Sequence, residues 1–202
     1  MSDLPFDLPA SSSLPIGGSS DEMAEAILVR LAQGGCPDAF RTLVERYQQR
    51  IYLFCFRYLR DSCDAKEVCQ DTFVRAYDAL ARYRPRARFT TWLFRISLNL
   101  CHDRSRARRP TVKRSTRRES EEFPCPAAAP DRAAELAADM VKLDRGLAAL
   151  PEKLRDVLIL SCLDNLSHGE CAAILKCSER AVEGRLYRAR RELAKWWDTT
   201  CG

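Results

Sequence analysis

A chain of 202 residues has room for one or two domains that each bury a core. Its 33 Lys plus Arg against 28 Asp plus Glu leave a formal net charge of +5, a balance that favours an anionic partner. No apolar run reaches the length of a membrane span, and the amino terminus lacks the basic segment and long apolar core of a secretory signal, so a cytoplasmic chain without stable membrane insertion is expected.

In chain order, residues 1–20 are rich in Pro, Ser and Gly and too poor in apolar residues to bury a core, which predicts a disordered tail. Ser19-x-x-Glu22 has the form of a capping box and starts a helix to about Gln33, with Ile27, Leu28 and Leu31 expected inward and Gly34-Gly35 as its stop. A second helix runs from Pro37 or Asp38 to about Leu59 with a broad apolar stripe that includes Leu43, Ile51, Phe54, Cys55 and Tyr58. Asp61 and Ser62 restart the chain into a third helix, with Ala65, Val68, Cys69, Phe73, Ala76 and Leu80 inward and Glu67, Gln70, Asp71, Arg75 and Asp78 outward. The sequence ARYRPRAR, Ala81 to Arg88, reads as an exposed basic loop. A fourth helix, from about Thr90 to Arg106, has Trp92, Leu93, Ile96, Leu98, Leu100 and Cys101 on its apolar face and a basic far end. Residues 110–130 change from basic to acidic to Pro and Ala, the composition of a flexible linker. A second unit then spans 131–199, with Leu136, Met140, Leu143, Leu147 and Leu150 on its first helix and Leu154, Val157, Leu158 and Leu160 on the next, after Pro151. No strand pattern is present, so the fold class is all-α: two helical domains, 21–109 and 131–199, joined by the linker.

The stretch from Ser167 to Trp197 is the most informative. Ser167-x-x-Glu170 is a second capping box, and the short helix after it carries Cys171, Ala172, Ile174 and Leu175 on its inner side. Lys176 and Cys177 form a tight turn, and Ser178 caps a longer helix. There Val182, Leu186, Ala189 and Leu193 recur at core spacing, while Arg180, Gly184, Tyr187, Arg188 and Arg191 fall on the opposite side. This is a helix-turn-helix whose second helix offers arginines to solvent, the arrangement that enters a DNA major groove.

The ten cysteines contain no Cys-x-x-Cys pair, and most replace aliphatic residues on inner helix faces, where a thiol acts as a small hydrophobe. His168, Cys171 and Cys177 are the nearest approach to a ligand set, but Cys171 points inward, so neither a metal nor another cofactor is expected. With only two histidines, His102 and His168, both expected at the surface, and no Gly-rich phosphate loop, an enzyme is disfavoured.

Asp64 to Leu80 followed by Phe89 to Arg109 resembles region 2 of bacterial extracytoplasmic-function (ECF) sigma factors, and Leu143 to Leu160 with Leu166 to Leu193 resembles region 4. The resemblance covers about Asp21 to Trp197, in the family's order. It implies a non-catalytic, dissociable subunit that binds RNA polymerase core, directs it to promoter DNA and helps to open it, under the control of an anti-sigma factor. On that resemblance Gln70, Asp71 and Arg75 match the segment that docks on the clamp coiled coil of the largest polymerase subunit. The minus-ten element would be met by Tyr83, Arg84, Arg86 and Arg88 in the basic loop and by Asn99, Asp103, Arg104, Arg106 and Arg108 on the fourth helix. The minus-thirty-five duplex would be met by Ser178, Arg180, Glu183, Gly184, Arg185, Tyr187, Arg188 and Arg191. Arginine suits both tasks, since it grips phosphates and reads guanine through two parallel hydrogen bonds. Glu183 and Gly184 depart from the family pattern of a basic residue and a serine. The alternative reading is a two-domain helix-turn-helix regulator that acts without polymerase core.

Overall fold

The computed structural model describes residues 19–85, 87–108 and 142–201. The amino-terminal lobe holds α1 (Ser19–Gln33), α2 (Pro37–Leu59), α3 (Ser62–Leu80) and α4 (Phe89–Arg108). The carboxy-terminal lobe holds α5 (142–149), α6 (Glu152–Leu158), a π-helical segment (Ile159–Leu163), α7 (His168–Leu175) and α8 (Glu179–Cys201). Among the described residues there is no strand. The expected tail, apart from its last residues, the expected linker, and Leu136 and Met140 lie outside the described residues.

Local chemistry fixes the helix ends. Gly35, at φ +88°, takes the left-handed turn that closes α1, and the Cys36 amide donates to the Leu31 carbonyl at 3.1 Å. Pro37 opens α2, where a missing N–H costs nothing. Arg60 closes it in the left-handed conformation, its amide donating to Phe56 at 2.8 Å. The Asp61 carboxylate then accepts from the Asp64 amide at 2.8 Å and starts α3.

The core of the amino-terminal lobe is built where α2, α3 and α4 meet. Phe54 and Phe94 pack edge to face at 5.1 Å, and both are fully buried. Thr72 and Ser97 bring α3 and α4 close: their hydroxyls lie 3.2 Å apart and donate back to the Val68 and Leu93 carbonyls, so no polar atom is stranded between the helices. The α3 residues expected inward are all buried. The expectation for α1 needs correction. Ile27 and Leu31 are about half exposed, and Val29 and Ala32 are the buried residues. The helix is short and apolar on more than one side, so periodicity alone does not decide which side meets α2.

The buried core runs on without a break from the amino-terminal lobe into the carboxy-terminal one, through Val157, Ile159, Leu160, Cys171, Ile174 and Val182. A polar seam accompanies it. The buried Asp156 carboxylate accepts from the Tyr58 hydroxyl at 2.9 Å and sits 3.1 and 3.2 Å from His102 Nε2. His102 was expected at the surface; it lies instead in this seam, because the second lobe covers the end of α4. Arg57 donates to Asp164 at 2.7 Å, and Arg60 pairs with Asp144. Within the carboxy-terminal lobe, Gly146 lets α5 approach α8: a Cβ there would meet Leu193 Cδ1 at 2.7 Å and the Trp196 ring at 2.9 Å.

Two measurements test this packing. Gly146→Val should overpack the contact of α5 with α8 and cost about 1–3 kcal/mol in denaturant titration. For Asp164, burial, opposed by Arg57 and Arg50, pushes the carboxyl up to about 6, and Oδ2 has no hydrogen-bond partner. The folded value exceeds the unfolded one of about 3.9, so its ionisation weakens the fold as pH rises through that interval. Asp164→Asn should therefore raise the melting temperature, by an amount that grows from about pH 4 to about pH 6 and then levels off.

Candidate nucleic-acid interface

The helix-turn-helix forms as its sequence requires. The Ser167 hydroxyl accepts from the Glu170 amide at 3.2 Å, and the Glu170 carboxylate accepts from the Ser167 amide at 2.9 Å, a complete capping box at the start of α7. Lys176 closes α7 in the left-handed conformation, and the Cys177 amide donates to the Ala172 carbonyl at 3.0 Å. Ser178 accepts from the Ala181 amide at 3.2 Å to cap α8.

On α8 the two faces separate cleanly. Val182, Leu186 and Ala189 are buried against the lobe, while Arg180, Glu183, Gly184, Tyr187, Arg188 and Arg191 are exposed and Arg185 is half-buried. Arg188 lies along the helix with Nε donating to the Gly184 carbonyl at 3.1 Å, and the Arg191 guanidinium lies 5.7 Å from the Tyr187 ring centre. Glu183, the unexpected carboxylate, stands 3.7 Å from His168 Nδ1 in the first turn of α7. Gly184 has open space where a side chain would stand, so a partner backbone can come close there.

The second basic surface is at the loop after α3 and along α4. Residues at both ends of the loop are tied to α1. Gln33 Nε2 donates to the Leu80 and Tyr83 carbonyls, both at 3.0 Å, and the Glu25 carboxylate accepts from the Phe89 amide at 3.3 Å. Tyr83, expected in an exposed loop to meet the minus-ten element, is buried: its ring packs 4.8 Å from Trp92 and 5.8 Å from Phe89, and its hydroxyl donates to the Ala87 carbonyl at 2.7 Å. Burial, helped by Glu25, pushes its phenol up to about 12, so it remains a hydrogen-bond donor. Sequence alone cannot show that a tyrosine in a basic loop folds back onto an aromatic pair. Trp92 is half-buried against the same rings.

Arg84 is exposed, and Arg86 lies outside the described residues. Arg88 reaches Glu22 on α1 and lies 3.8 Å from Glu170 on α7. Asn99 and Asp103 are exposed. Arg104 pairs with Asp64 and Glu67, and Arg108 pairs with Asp61 at 2.7 Å and Asp64 at 2.5 Å. Arg106 pairs with Glu152 of the other lobe at 3.1 Å.

The third surface is the outer side of α3, where Gln70, Asp71 and Arg75 are exposed as expected and Phe73 is buried. Two residues there escaped the sequence reading: Val74 and Tyr77 are more than half exposed, with Tyr77 edge to face on Phe40 at 5.0 Å. The signal was present, since apolar residues at i and i+3 fell off the inward stripe.

The expectation that most thiols face inward holds for four of the eight described cysteines, while Cys36 and Cys177 are half-buried and Cys63 and Cys162 are exposed. Cys55, Cys69, Cys101 and Cys171 are buried, and burial pushes Cys69 and Cys171 up to about 12, so both stay protonated at neutral pH. Among the described residues, no three His, Cys, Asp or Glu side chains converge as metal ligands, and no helix is long and apolar enough to cross a membrane.

A helical lobe with a basic loop is followed by a second lobe that ends in a helix-turn-helix with exposed arginines, the class of a two-lobed helical protein with a DNA-binding motif. The comparisons agree with that class. The family model for sigma-70 region 2 matches residues 43–111, and that for sigma-70 region 4 matches residues 140–193. The RNA polymerase sigma-H factor of Pseudomonas aeruginosa is 33% identical over 175 residues, which cover 83% of this chain and 91% of that protein. The ECF RNA polymerase sigma-E factor of Escherichia coli K12 is 33% identical over 181 residues, 86% of this chain and 94% of that one. Among solved structures, CnrH in complex with the cytosolic domain of CnrY is similar at a TM-score of 0.67 and 33% identity, covering 88% of this chain and 99% of that one. The sigma factor RpoE of Bartonella quintana, solved with the anti-sigma factor NepR, shares the fold at a TM-score of 0.61 and 19% identity. The chain belongs to the ECF sigma factors of bacterial RNA polymerase. Its function is therefore transcription initiation by promoter recognition with polymerase, and the reading as a free-standing regulator is not favoured.

The loop geometry separates structural from surface roles. Tyr83→Ala should cost about 3 kcal/mol in denaturant titration, in the range of other buried aromatic truncations, whereas Arg84→Ala should leave the midpoint unchanged.

Proposed function

We propose that residues 21–109 bind polymerase core and the minus-ten element, and that residues 131–199 bind the minus-thirty-five duplex. The observation that carries this reading is the two-faced α8: buried Val182, Leu186 and Ala189 on one side, and Arg180, Tyr187, Arg188 and Arg191 on the other. A helix in the major groove places such arginines where they can reach guanine edges, and phosphate contacts fix its register. Gly184 and the Ser178 end of α8 bring backbone close to the phosphates, while the Glu183 carboxylate, repelled by phosphate, faces the groove without joining in phosphate binding.

In the amino-terminal lobe, Arg84 and Arg88 hold the single-stranded backbone at the loop, with Asn99, Asp103 and Arg106 along α4 beside them. Arg104 and Arg108, each held by carboxylates of α3 or its cap, first fix α4 on α3 and present only their remaining donors to DNA. Tyr83 shapes the loop instead of stacking on a base. On α3, Gln70, Asp71 and Arg75 give directional polar contacts to polymerase core, around an apolar centre formed by Val74 and Tyr77. The chain performs no catalysis of its own, acts in the cytoplasm with polymerase, and is restrained by an anti-sigma factor. Two proteins of similar structure support that last partner: CnrH, solved with the cytosolic domain of CnrY, and RpoE of Bartonella quintana, solved with the anti-sigma factor NepR.

Run-off transcription with purified core and a genomic promoter library tests the reading. Arg188→Ala should reduce promoter-dependent transcript about tenfold, as expected for loss of one bidentate base contact, without lowering the melting temperature. Arg84→Ala with Arg88→Ala should weaken open-complex formation and flatten its dependence on salt. Deletion of residues 131–202 should leave core binding intact and abolish protection of upstream duplex. Full activity of Arg188→Ala would remove that residue from the interface.

A further inference from the structure

Two side chains of α1 hold the basic loop from opposite ends. Gln33, the last residue of α1, donates through Nε2 to the carbonyls of Leu80 and Tyr83, both at 3.0 Å. Glu25 accepts at 3.3 Å from the amide of Phe89, the first residue of α4. Each group suits the helix end it meets: amide donors face the carbonyl end of α3, and a carboxylate faces the amide end of α4. Neither is a local cap, since the partners lie 47, 50 and 64 positions apart in the chain.

The peptide units held in this way flank two arginines. The Tyr83 carbonyl belongs to the peptide that leads into Arg84, and the Phe89 amide belongs to the peptide that leaves Arg88. The holding groups are themselves fixed. Val29 and Ala32 bury one side of α1, the left-handed turn at Gly35 ends the helix just past Gln33, and the Tyr47 hydroxyl donates to the second Glu25 oxygen. Glu25 and Gln33 thus stand eight residues apart on one helix, a separation of about 12 Å along its axis.

We propose that Gln33 and Glu25 are positioning residues for strand capture: α1 acts as a gauge that fixes the spacing of Arg84 and Arg88 before DNA arrives. The inference rests on the reading of those two arginines as contacts to the single-stranded backbone. A loop of variable shape would lose that freedom on binding and weaken the complex accordingly, whereas a loop already spanned by α1 has little left to lose. The hydrogen bond from the Tyr83 hydroxyl to the Ala87 carbonyl closes the loop on itself, and α1 sets its two ends. Gln33 and Glu25 act through the arginines and not on DNA.

A double-mutant cycle tests this, read as open-complex formation by polymerase core reconstituted with the full chain. Gln33→Met removes both donors at similar volume and should lower open-complex formation about fivefold, the cost of ordering a loosened loop. In a chain that already carries Arg84→Ala, the same substitution should change it by less than about twofold, because the group it positions is gone. In a chain that carries Arg188→Ala it should again cost about fivefold, since α8 does not depend on the loop. Glu25→Met paired with Arg88→Ala should repeat the pattern at the other end. Affinity for core should stay unchanged throughout, which a general loosening of the lobe would not allow. Should Gln33→Met fail to fold, Gln33→Asn, whose amide stops one methylene short, takes its place in the cycle. Equal losses with and without Arg84, or a matching loss of core affinity, would overturn the positioning role and leave the minus-ten reading in place. An Arg84→Ala chain with full open-complex formation would remove both.

Discussion

One buried carboxylate determines how the halves of this protein meet. Asp156 is almost fully enclosed, and a charge in that position is tolerated only when every oxygen is matched. Tyr58 from α2 and His102 from α4 supply the matching groups, and the guanidinium of Arg155 lies over the Tyr58 ring at 4.6 Å. Hydrophobic burial would accept many dockings of α6 on the amino-terminal lobe; this hydrogen-bonded set accepts one. The lobes' relative placement, and with it the position of α7 beside the basic loop, follows from that constraint.

Much of the architecture was legible because it is locally encoded. The capping box at Ser167, the left-handed turn at Lys176 and the separated faces of α8 all depend on residues within a few positions of one another. The inward stripe of α3 was equally plain. The errors share one cause, which is that they depend on distant chain. Whether Ile27 or Val29 faces inward is settled by α2, whether Tyr83 is exposed is settled by Phe89 and Trp92, and whether His102 sees water is settled by a lobe that arrives more than forty residues later.

The basic surfaces show the same distinction in electrostatic form. A run such as Arg104, Arg106 and Arg108 reads in sequence as a phosphate grip, yet each side chain has acquired a carboxylate partner from elsewhere in the fold. On α8 the sequence pattern translates more directly into exposed side chains, since Arg180, Arg188 and Arg191 all lie on its solvent side. The two basic surfaces therefore differ in how their guanidinium groups are engaged: along α4 by carboxylates from other elements, on α8 by a carbonyl and a ring of the same helix.

The close approach at Gly146 has a mechanical meaning as well. Because α5 rests directly on Leu193 and Trp196, the distal half of α8 is braced about two turns beyond Tyr187 and Arg188. The helix is thus anchored at its far end, like a beam set in a wall, while its exposed leading turns carry no such load.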